Sequence, residues 1–297
     1  MDPLSTVLNV VAAQCVVSGT LLGGGEWAVK FPPAKGIKFW SIVRGTARMK
    51  AGKEPIVTLN AGDVVLRTAA APAIMGSNLS VPVTELEKLL RERQGVRARV
   101  GTGEEFGMVG GEVILEDEDV ALFRSTLPPT LVIRAGSPRA ATLQWLMTEI
   151  VREQKTPAIG NTVATNQLAL LVFIQILRAH AETETSTGWL AGIADRQLGP
   201  AFVKMHASPE RNWTLPELAR ACGMSRAAFA ERFKRIAGIT PVAYLTSWRI
   251  RLARQGLARG ETIGTLASQL GYGSESALSH AFKRVVGVSP RAYREAV

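Results

Sequence analysis

The spacing of hydrophobic and polar positions changes about halfway along the chain. Between residues 20 and 80, short apolar runs alternate with turn residues, and they predict five strands: Trp27–Phe31, Phe39–Val43, Thr46–Met49, Ile56–Leu59 and Val64–Leu66. Many short strands separated by closely spaced turns are typical of a sandwich or a small barrel. The polar, Gly-rich stretch 82–110 predicts a loose loop, and one more strand is expected near Gly111–Leu115.

From about Ala140 the apolar residues recur at helical spacing, with one stripe at 143–150 and a denser one at 168–177. These two helices are expected to pack either on the barrel or on a second copy of the chain, and the pattern leaves both open. A further helix near 200–205 leads to Ser208–Pro209, an expected hinge. The predicted domains are therefore 1–135, 136–208 and 209–297.

A pattern of about thirty residues occurs twice near the end of the chain, at Leu215–Tyr244 and at Ile263–Tyr293. The shared positions include a glycine, a Phe-Lys-Arg triplet and a closing tyrosine: Gly223 and Gly271, Phe233–Arg235 and Phe282–Arg284, Tyr244 and Tyr293. The register slips by one residue between the glycine and the phenylalanine, where a turn would absorb it. Two copies of one helical unit suggest one task repeated along a repeating target, and DNA is such a target.

Each copy has the pattern of a helix-turn-helix. Gly223 is suited to the left-handed conformation that ends a helix, and Ser225 to capping the next one. In that next helix Phe229, Phe233 and Ile236 are expected to point inward, as are Leu278, Phe282 and Val285 in the second copy. The 14 residues 242–255 between the copies predict a single helix of roughly 21 Å, which would place the two units near successive major grooves.

The opposite faces of the two second helices supply the candidate DNA contacts. These are Ser225, Arg226, Ala227, Ala230, Glu231 and Lys234 in the first copy, and Ser274, Glu275, Ser276, Ala277, His280, Lys283 and Arg284 in the second. Ala227 and Ala230 favour contact with thymine methyl groups or with DNA shape, whereas Arg226 and Glu231 are the expected direct contacts to bases. Basic side chains, Arg249 of the connecting helix among them, are candidates for phosphate contacts.

The net charge of +10 is unevenly placed. Residues 209–297 carry 14 Lys and Arg against 6 Asp and Glu, whereas residues 1–208 carry 21 against 19. Such asymmetry favours a polyanionic partner. Two distant cysteines, Cys15 and Cys222, do not make a disulfide framework. The first residues lack a basic signal-peptide segment, and the run 168–177 is too short to span a bilayer, so a cytoplasmic protein without a membrane partner is expected.

The stretch Trp213–Tyr293 resembles the DNA-binding domain of AraC/XylS-type bacterial transcription regulators. The second copy carries the motif residues: Ile263, Ala267, Leu270-Gly271-Tyr272, Ser274-Glu275-Ser276, Phe282-Lys283-Arg284, Gly287, Ser289-Pro290 and Tyr293-Arg294. The N-terminal part is similar to the cupin-type sensor domain of one branch of that family, through Trp27 with Phe31-Pro32, Gly45, Ala61-Gly62-Asp63, Leu177-Arg178, Gly188-Trp189-Leu190 and Met205-His206-Ala207.

The resemblance implies an α+β, multidomain fold: a cupin-like β-barrel at 1–135, a helical dimerisation segment and linker at 136–208, and an all-α domain with two helix-turn-helix units at 209–297. It implies a transcription regulator rather than an enzyme, whose N-terminal domain senses a small molecule or a stress signal. The expected partners are double-stranded promoter or operator DNA, a small-molecule effector and a second copy of the chain in a homodimer, with RNA polymerase as a further candidate.

The sequence departs from cupin enzymes because the barrel segment contains no histidine, and His180, His206 and His280 all fall in predicted helices. A three-histidine metal site is therefore not expected, nor is any other cofactor. Trp27, Phe31, Trp40 and Met49 are candidates for an effector pocket, although alternation makes them at least as well suited to the core. Two other functions stay open: a cupin enzyme tethered to DNA, and an alkyl-transfer repair regulator that uses Cys15.

Overall fold

The computed structural model describes residues 2–34, 36–93, 95–156, 158–183 and 185–296. The chain forms two compact units. Ala13–Thr183 make up the first, here called the sheet unit, and Met1–Ala12 together with Glu184–Val297 make up the second, the helical unit.

The sheet unit contains eleven strands and four helices in its described residues. The strands are β1 Gln14–Gly24, β2 Ala28–Phe31, β3 Ile37–Arg44, β4 Thr46–Ala51, β5 Val57–Asn60, β6 Val64–Arg67, β7 Ala73–Gly76, β8 Thr84–Glu85, β9 Arg97–Gly101, β10 Phe106–Ile114 and β11 Thr130–Ile133. The helices are α2 Leu86–Arg91, α3 Asp117–Arg124, α4 Ala140–Lys155 and α5 Asn161–Ala181.

Two sheets build this unit, with strand orders β11-β6-β3-β10-β1-β9 and β5-β4-β7-β2-β8. Side chains alternate along each strand, so every second residue faces the space between the sheets. That space is filled by a hydrophobic core that includes Trp27, Met49, Leu59, Met75 and Phe106. The predicted sheet-rich architecture is confirmed, and each of the six predicted strands overlaps an observed one.

The turn Asn60–Asp63 shows how a polar segment closes this fold. Asp63 is buried, and its carboxylate accepts from the backbone N–H groups of Asn60 at 3.1 Å and Ala135 at 2.9 Å. The guanidinium of Arg134 donates to the same carboxylate at 2.8 Å. Because a buried charge is costly without partners, these bonds tie the turn to the segment that follows β11.

The prediction of a loose loop over 82–110 was wrong. Its described residues form β8, α2, β9 and the first part of β10. Strand β9 pairs in parallel with β1, with Leu21 opposite Ala98 and Leu22 opposite Arg99. The apolar positions of β9 are separated by arginines, so its hydrophobic signal is weak, and its pairing with a distant strand creates the structure.

Helices α4 and α5 form an antiparallel hairpin, and α5 packs against β1. Asn161 donates to the backbone carbonyl of Glu153 at 2.6 Å at one end of the hairpin, and Arg139 pairs with Glu182 at the other. Helix α5 has 21 residues, and its most apolar 18-residue window has a mean hydropathy of 1.4, so it is long and apolar enough to cross a membrane by length and composition alone. That is weak evidence, since helices of soluble cores meet the same criteria.

The helical unit contains α1 Pro3–Val10, α6 Trp189–Ala194, α7 Gly199–Ala207, α8 Leu215–Ala221, α9 Arg226–Ala237, α10 Pro241–Ala258, α11 Ile263–Gln269, α12 Glu275–Val286 and α13 Pro290–Ala296. The first of them, α1, packs against α6, α7 and α10 with Val7 and Val11 buried. Gln255 of α10 donates to the carbonyl of Val10 at 3.3 Å.

These contacts group the chain differently from the predicted limits at residues 135 and 208. The hairpin α4–α5 belongs to the sheet unit because it lies on β1, whereas α6 and α7 belong to the helical unit. The rings of Phe202 on α7 and Phe233 on α9 stack with centroids 5.0 Å apart. Such long-range packing is not visible in a local pattern of apolar residues.

Candidate nucleic-acid interface

Helices α9 and α12 begin in the same way. A glycine with positive φ, Gly223 at 63° and Gly271 at 72°, follows the preceding helix. A serine hydroxyl then accepts from a backbone N–H in the first turn, at 3.3 Å for Ser225 with Ala228 and at 3.1 Å for Ser274 with Ala277. The predicted glycine turns and serine caps are therefore confirmed, and each cap satisfies one of the N–H groups that a helix start leaves open.

The inner faces of α9 and α12 are largely as expected. Phe229, Phe233, Leu278 and Phe282 are each at most 1% exposed. Val285 was wrongly assigned to the inner face, since it is 46% exposed, and Val286 packs against the core in its place. One residue corresponds to about 100° of rotation in a helix, so a shift by one position moves a side chain from the core edge to solvent.

The outer faces carry the candidate DNA contacts. Exposed side chains are those of Ser225, Arg226, Ala227, Glu231 and Lys234 on the first copy, and of Ser274, Glu275, Ser276, Ala277, His280, Lys283 and Arg284 on the second, while Ala230 is partly buried. Each set lies along the first turns of a capped helix and ends on basic residues. A major groove admits such a helix, and its first turns face the base edges.

The two copies are joined by α10, which is longer than the predicted 242–255. Its 18 residues span about 27 Å. Tyr244 and Trp248 in its first half pack with the rings of α7 and α9. Ile250, Ala253 and Leu257 in its second half belong to the core of the second copy. One continuous helix therefore contributes to both cores.

Arg249 lies on α10 between these two halves, and its placement differs from the expected phosphate contact. Its Nε donates to the backbone carbonyl of Pro209 at 2.5 Å, and an Nη donates to that of Arg211 at 3.0 Å. The guanidinium carbon is 5.6 Å from the ring centroid of Tyr272. The donors of Arg249 are thus directed at the protein's own backbone. The side chain is half-buried, and burial lowers the pKa of its guanidinium.

A buried aromatic cluster supports the first copy. His206 of α7 stacks on Trp248 with centroids 4.1 Å apart, and its Nε2 is 2.7 Å from the hydroxyl of Tyr244. Burial lowers the pKa of His206 to about 4 and raises that of Tyr244, so both side chains are neutral at pH 7. The cluster consequently adds packing to the unit but no charge.

Neither cysteine is activated as a nucleophile. Cys15 is 2% exposed, and burial raises the pKa of its thiol to about 12. Burial also raises the pKa of Cys222, whose thiol points to the carbonyl of Leu198. Since the thiolate is the reactive form, these sites disfavour chemistry at either sulfur.

The sheet unit contains a cavity of about 480 Å³, partly open to solvent, between β1, β3, β10 and helix α2. Of the four residues predicted for an effector pocket, Phe31 and Trp40 line it, with ring centroids 4.7 Å apart. Trp27 and Met49 do not. Trp27 packs on Phe106 at 4.9 Å, and Met49 lies in the core between the sheets, where strand alternation directs it.

The cavity has few charges. Lys38 and Glu112, which are register partners on β3 and β10, form an ion pair at its wall. The exposed carboxylate of Glu87 adds one further negative charge at the edge. Within the described ranges, no group of three or more His, Cys, Asp and Glu side chains is arranged to hold a metal ion.

Two contacts in the helical unit had no signal in the local sequence pattern. Arg232 of α9 pairs with Asp195 at 2.7 Å beside α6. The second is the pairing of Arg249 with 209–211. Both join residues about forty positions apart, and neither a helical stripe nor a motif spacing identifies them.

Comparison with known proteins supports the assignment of both units. A cupin family model matches residues 2–182, and a helix-turn-helix domain model matches residues 218–296. The chain is 36% identical over 284 residues to an AraC-like transcription regulator of Streptomyces lividans, covering 94% of this chain and 93% of the relative. A regulator of the same description from Streptomyces antibioticus is 36% identical over 283 residues, with 94% and 93% covered.

Among solved structures, the chain is similar to the DNA-binding domain of AdpA, a global transcriptional factor, in complex with a target DNA. The identity is 29%, the TM-score is 0.32, and the match covers 34% of this chain and 93% of that one. Identity of more than 30% over nearly the full length of both relatives, together with the two domain matches, settles the family. The chain belongs to the AraC family of DNA-binding transcription regulators and carries a cupin domain before its helix-turn-helix domain.

Proposed function

We propose that the protein reads a specific DNA site by placing α9 and α12 in successive major grooves on one face of the duplex. The carrying observation is that two helices with the same glycine turn and serine cap present exposed faces on either side of α10. The length of α10, about 27 Å, plus the width of the modules is compatible with the roughly 34 Å between successive major grooves.

The test is selection of duplexes from a randomised library by the full-length protein. Two conserved blocks of base pairs, centred about one helical turn apart, are expected in the recovered duplexes. Recovery of a single block would mean that only one of the two helices contacts bases. Recovery of no preferred sequence would refute sequence-specific reading altogether.

For the cupin domain we propose a ligand in the 480 Å³ cavity, which has a volume typical of small-molecule sites. The lining is mainly apolar and includes Phe31, Pro33, Trp40, Leu86, Leu90 and Met108. Among the described residues of the lining, Lys38 is the one cation and is already paired with Glu112, and Glu87 leaves this set slightly negative. This balance favours a hydrophobic effector without net charge, because an anion would need a free cation.

The class of this ligand is tested with three compounds that share a ten-carbon chain and carry a neutral, a negative or a positive head group. 1-Decanol, decanoate and decylammonium are compared by the rise in thermal midpoint of the full-length protein, since a ligand of the folded state stabilises it. Decanol is expected to give the largest rise in thermal midpoint. Trp40→Ala should remove this rise, and Ile56→Ala, at an exposed position of the sheet unit outside the cavity lining, should retain it. A larger rise with decanoate would overturn the proposed class.

We further propose that a second copy of the chain covers the α4–α5 hairpin. Trp145 of α4 is 59% exposed and Leu171 of α5 is 44% exposed. Only 33% of the most apolar window of α5 is buried in the single chain, so much apolar surface lies open to solvent. Charged residues of α4, such as Glu149 and Arg152, run along the same hairpin and favour a protein partner over hydrocarbon.

Sedimentation of the full-length protein tests the dimer. Trp145→Glu and Leu171→Glu are expected to shift the protein from dimer to monomer, while Ile56→Glu, at a comparably exposed apolar position of the sheet unit, leaves the dimer unchanged. If the wild type is a monomer and floats with phospholipid vesicles, the partner that covers the hairpin is a membrane and not a second copy of the chain.

We infer a regulatory rather than an enzymatic role, located with DNA in the cytoplasm. The relatives that cover nearly the whole chain are described as transcription regulators, and the buried cysteines disfavour an alkyl-acceptor role. Stoichiometric iron, zinc or manganese in the purified protein would instead support a cupin enzyme tethered to DNA. RNA polymerase is the remaining partner that we propose for this regulator.

A further inference from the structure

The two helix-turn-helix modules are held together by more than α10. The segment Pro209–Arg211, here called the strap, lies between α7 and α8 in sequence and therefore leads into the first module. Its backbone carbonyls at Pro209 and Arg211 accept hydrogen bonds from Arg249. The strap thus reaches the middle of α10 at the point where Trp248 belongs to one core and Ile250 to the other.

The strap also touches the turn of the second module. A Cβ built on Gly271 would lie 1.9 Å from the carbonyl oxygen of Glu210, the middle residue of the strap. Around the equivalent Gly223 of the first module, no atom of the described part of the chain lies within 4 Å of such a Cβ. The two turn glycines share a left-handed φ, but only Gly271 is required to be small by a neighbouring backbone. Arg249 adds the contact with Tyr272, the next residue of that turn.

The other end of the strap is fixed to the first module. The indole of Trp213 donates to the carbonyl of Ser208 at 3.0 Å, and the guanidinium of Arg211 lies 4.1 Å above the indole ring. Thr214 and Glu217 then form a reciprocal cap at the start of α8. The strap is therefore tied to α8 on one side and to the turn of the second module on the other.

We propose that Arg249, through the strap, sets the orientation of the second helix-turn-helix relative to the first, and with it the spacing of the two base-pair blocks that the protein accepts. Arg249 is a positioning residue here and makes no contact with DNA. A connection through one helix alone still allows the two modules to shift when that helix bends or twists at its middle. A second connection across the same point removes that freedom, so that binding by one module presents the other in register. This inference rests on the proposed reading of DNA by both modules.

The experiment repeats the selection from randomised duplexes with variants of the full-length protein. Arg249→Lys keeps the charge but loses the planar fork that reaches two carbonyls. Gly271→Ala acts from the other side, because the new methyl group must displace the strap. Gly223→Ala is its matched control, since it carries the same cost of a left-handed alanine but meets open space.

The wild type is expected to recover two blocks at one spacing. Arg249→Lys and Gly271→Ala are expected to recover the same blocks at several spacings. They should bind the best two-block duplex about tenfold more weakly or worse, because the effective concentration of the second module falls. Their affinity for a duplex with one block should be unchanged. Gly223→Ala should keep the wild-type spacing.

Retention of one spacing by both Arg249→Lys and Gly271→Ala would overturn the inference. Equal losses on one-block and two-block duplexes for Arg249→Lys would overturn it too, because they would make Arg249 a direct phosphate contact. If the wild type itself recovers no preferred sequence, the proposed reading of DNA fails. If the wild type recovers two blocks and the variants recover them at the same single spacing, only the inference about Arg249 fails.

Discussion

A fall in pH from 7.5 to 5 should destabilise the helical unit through His206. This side chain is 8% exposed, its ring lies against Trp248, and its Nδ1 is buried with no hydrogen-bond partner among the residues that the structure describes. Burial lowers its pKa from 6.5 to about 4 because protonation would place an imidazolium where water is excluded. Between these two values the unfolded chain binds the proton and the folded chain does not.

The sign and size follow from this difference in proton binding. Stability rises with pH wherever the unfolded state holds more protons, so it is complete above pH 6.5 and is lost as the pH falls from 6.5 towards 4. A pKa difference of between 2 and 3 units corresponds to about 3 kcal/mol over the whole window, and about 2 kcal/mol of that is lost by pH 5. This is a large fraction of the roughly 5–15 kcal/mol that holds a domain folded.

The assay is urea unfolding of the full-length protein at pH 7.5 and pH 5, followed by circular dichroism at 222 nm. His206→Gln removes the titrating group, so its free energy of unfolding should fall by about 2 kcal/mol less than that of the wild type. Carboxylates such as Asp195 titrate alike in both proteins and cancel in the comparison. His280→Gln, at an exposed position of α12, should keep the wild-type dependence. Equal losses in wild type and His206→Gln would refute the reasoning.

Three further predictions concern α9 and α12. Arg226→Ala should cost about 1 to 3 kcal/mol on the selected duplex and relax preference at one base pair, whereas equal losses on random DNA would make Arg226 a phosphate contact. Lys283→Ala should weaken binding to all sequences and reduce the slope of affinity against salt by about one unit; an unchanged slope would remove it from the interface. Phe282→Ala should lower the free energy of unfolding by about 3–5 kcal/mol, against at most about 0.5 kcal/mol for the exposed Val285→Ala on the same helix; similar losses for the two variants would contradict the assigned core.

The sequence predicts those features that depend on interactions between residues close together along the chain. The turn at Gly223 and the cap at Ser225 follow from residue types two positions apart, and the buried face of α9 follows from helical spacing. Short apolar runs between turn residues predicted β2 to β6 and β10, whereas β1, β7, β8, β9 and β11 were not predicted. Pairing of β9 with β1 joins residues more than seventy positions apart, and its stability comes from that partner rather than from its own composition.

Arginine side chains show where the prediction from sequence ends. A basic residue on a helix of a DNA-binding domain looks the same in sequence whether it faces phosphate or the protein's own backbone. Arg226 is exposed at the start of α9, whereas Arg249 is bound to the strap and Arg232 to Asp195. The difference depends on which distant segment passes nearby, and neither hydrophobic spacing nor net charge contains that information.

The repeat is also less symmetric in structure than in sequence. The first module is completed by α6 and α7, whose Asp195 and Phe202 contact α9. The second module leaves Val285 exposed where the first module has the partly buried Ile236, and it gains the strap on its turn instead. Equal motifs therefore do not imply equal modules. One is anchored in a larger core and the other is positioned by a backbone segment, so a perturbation of the strap should act on the second module and leave the first in place.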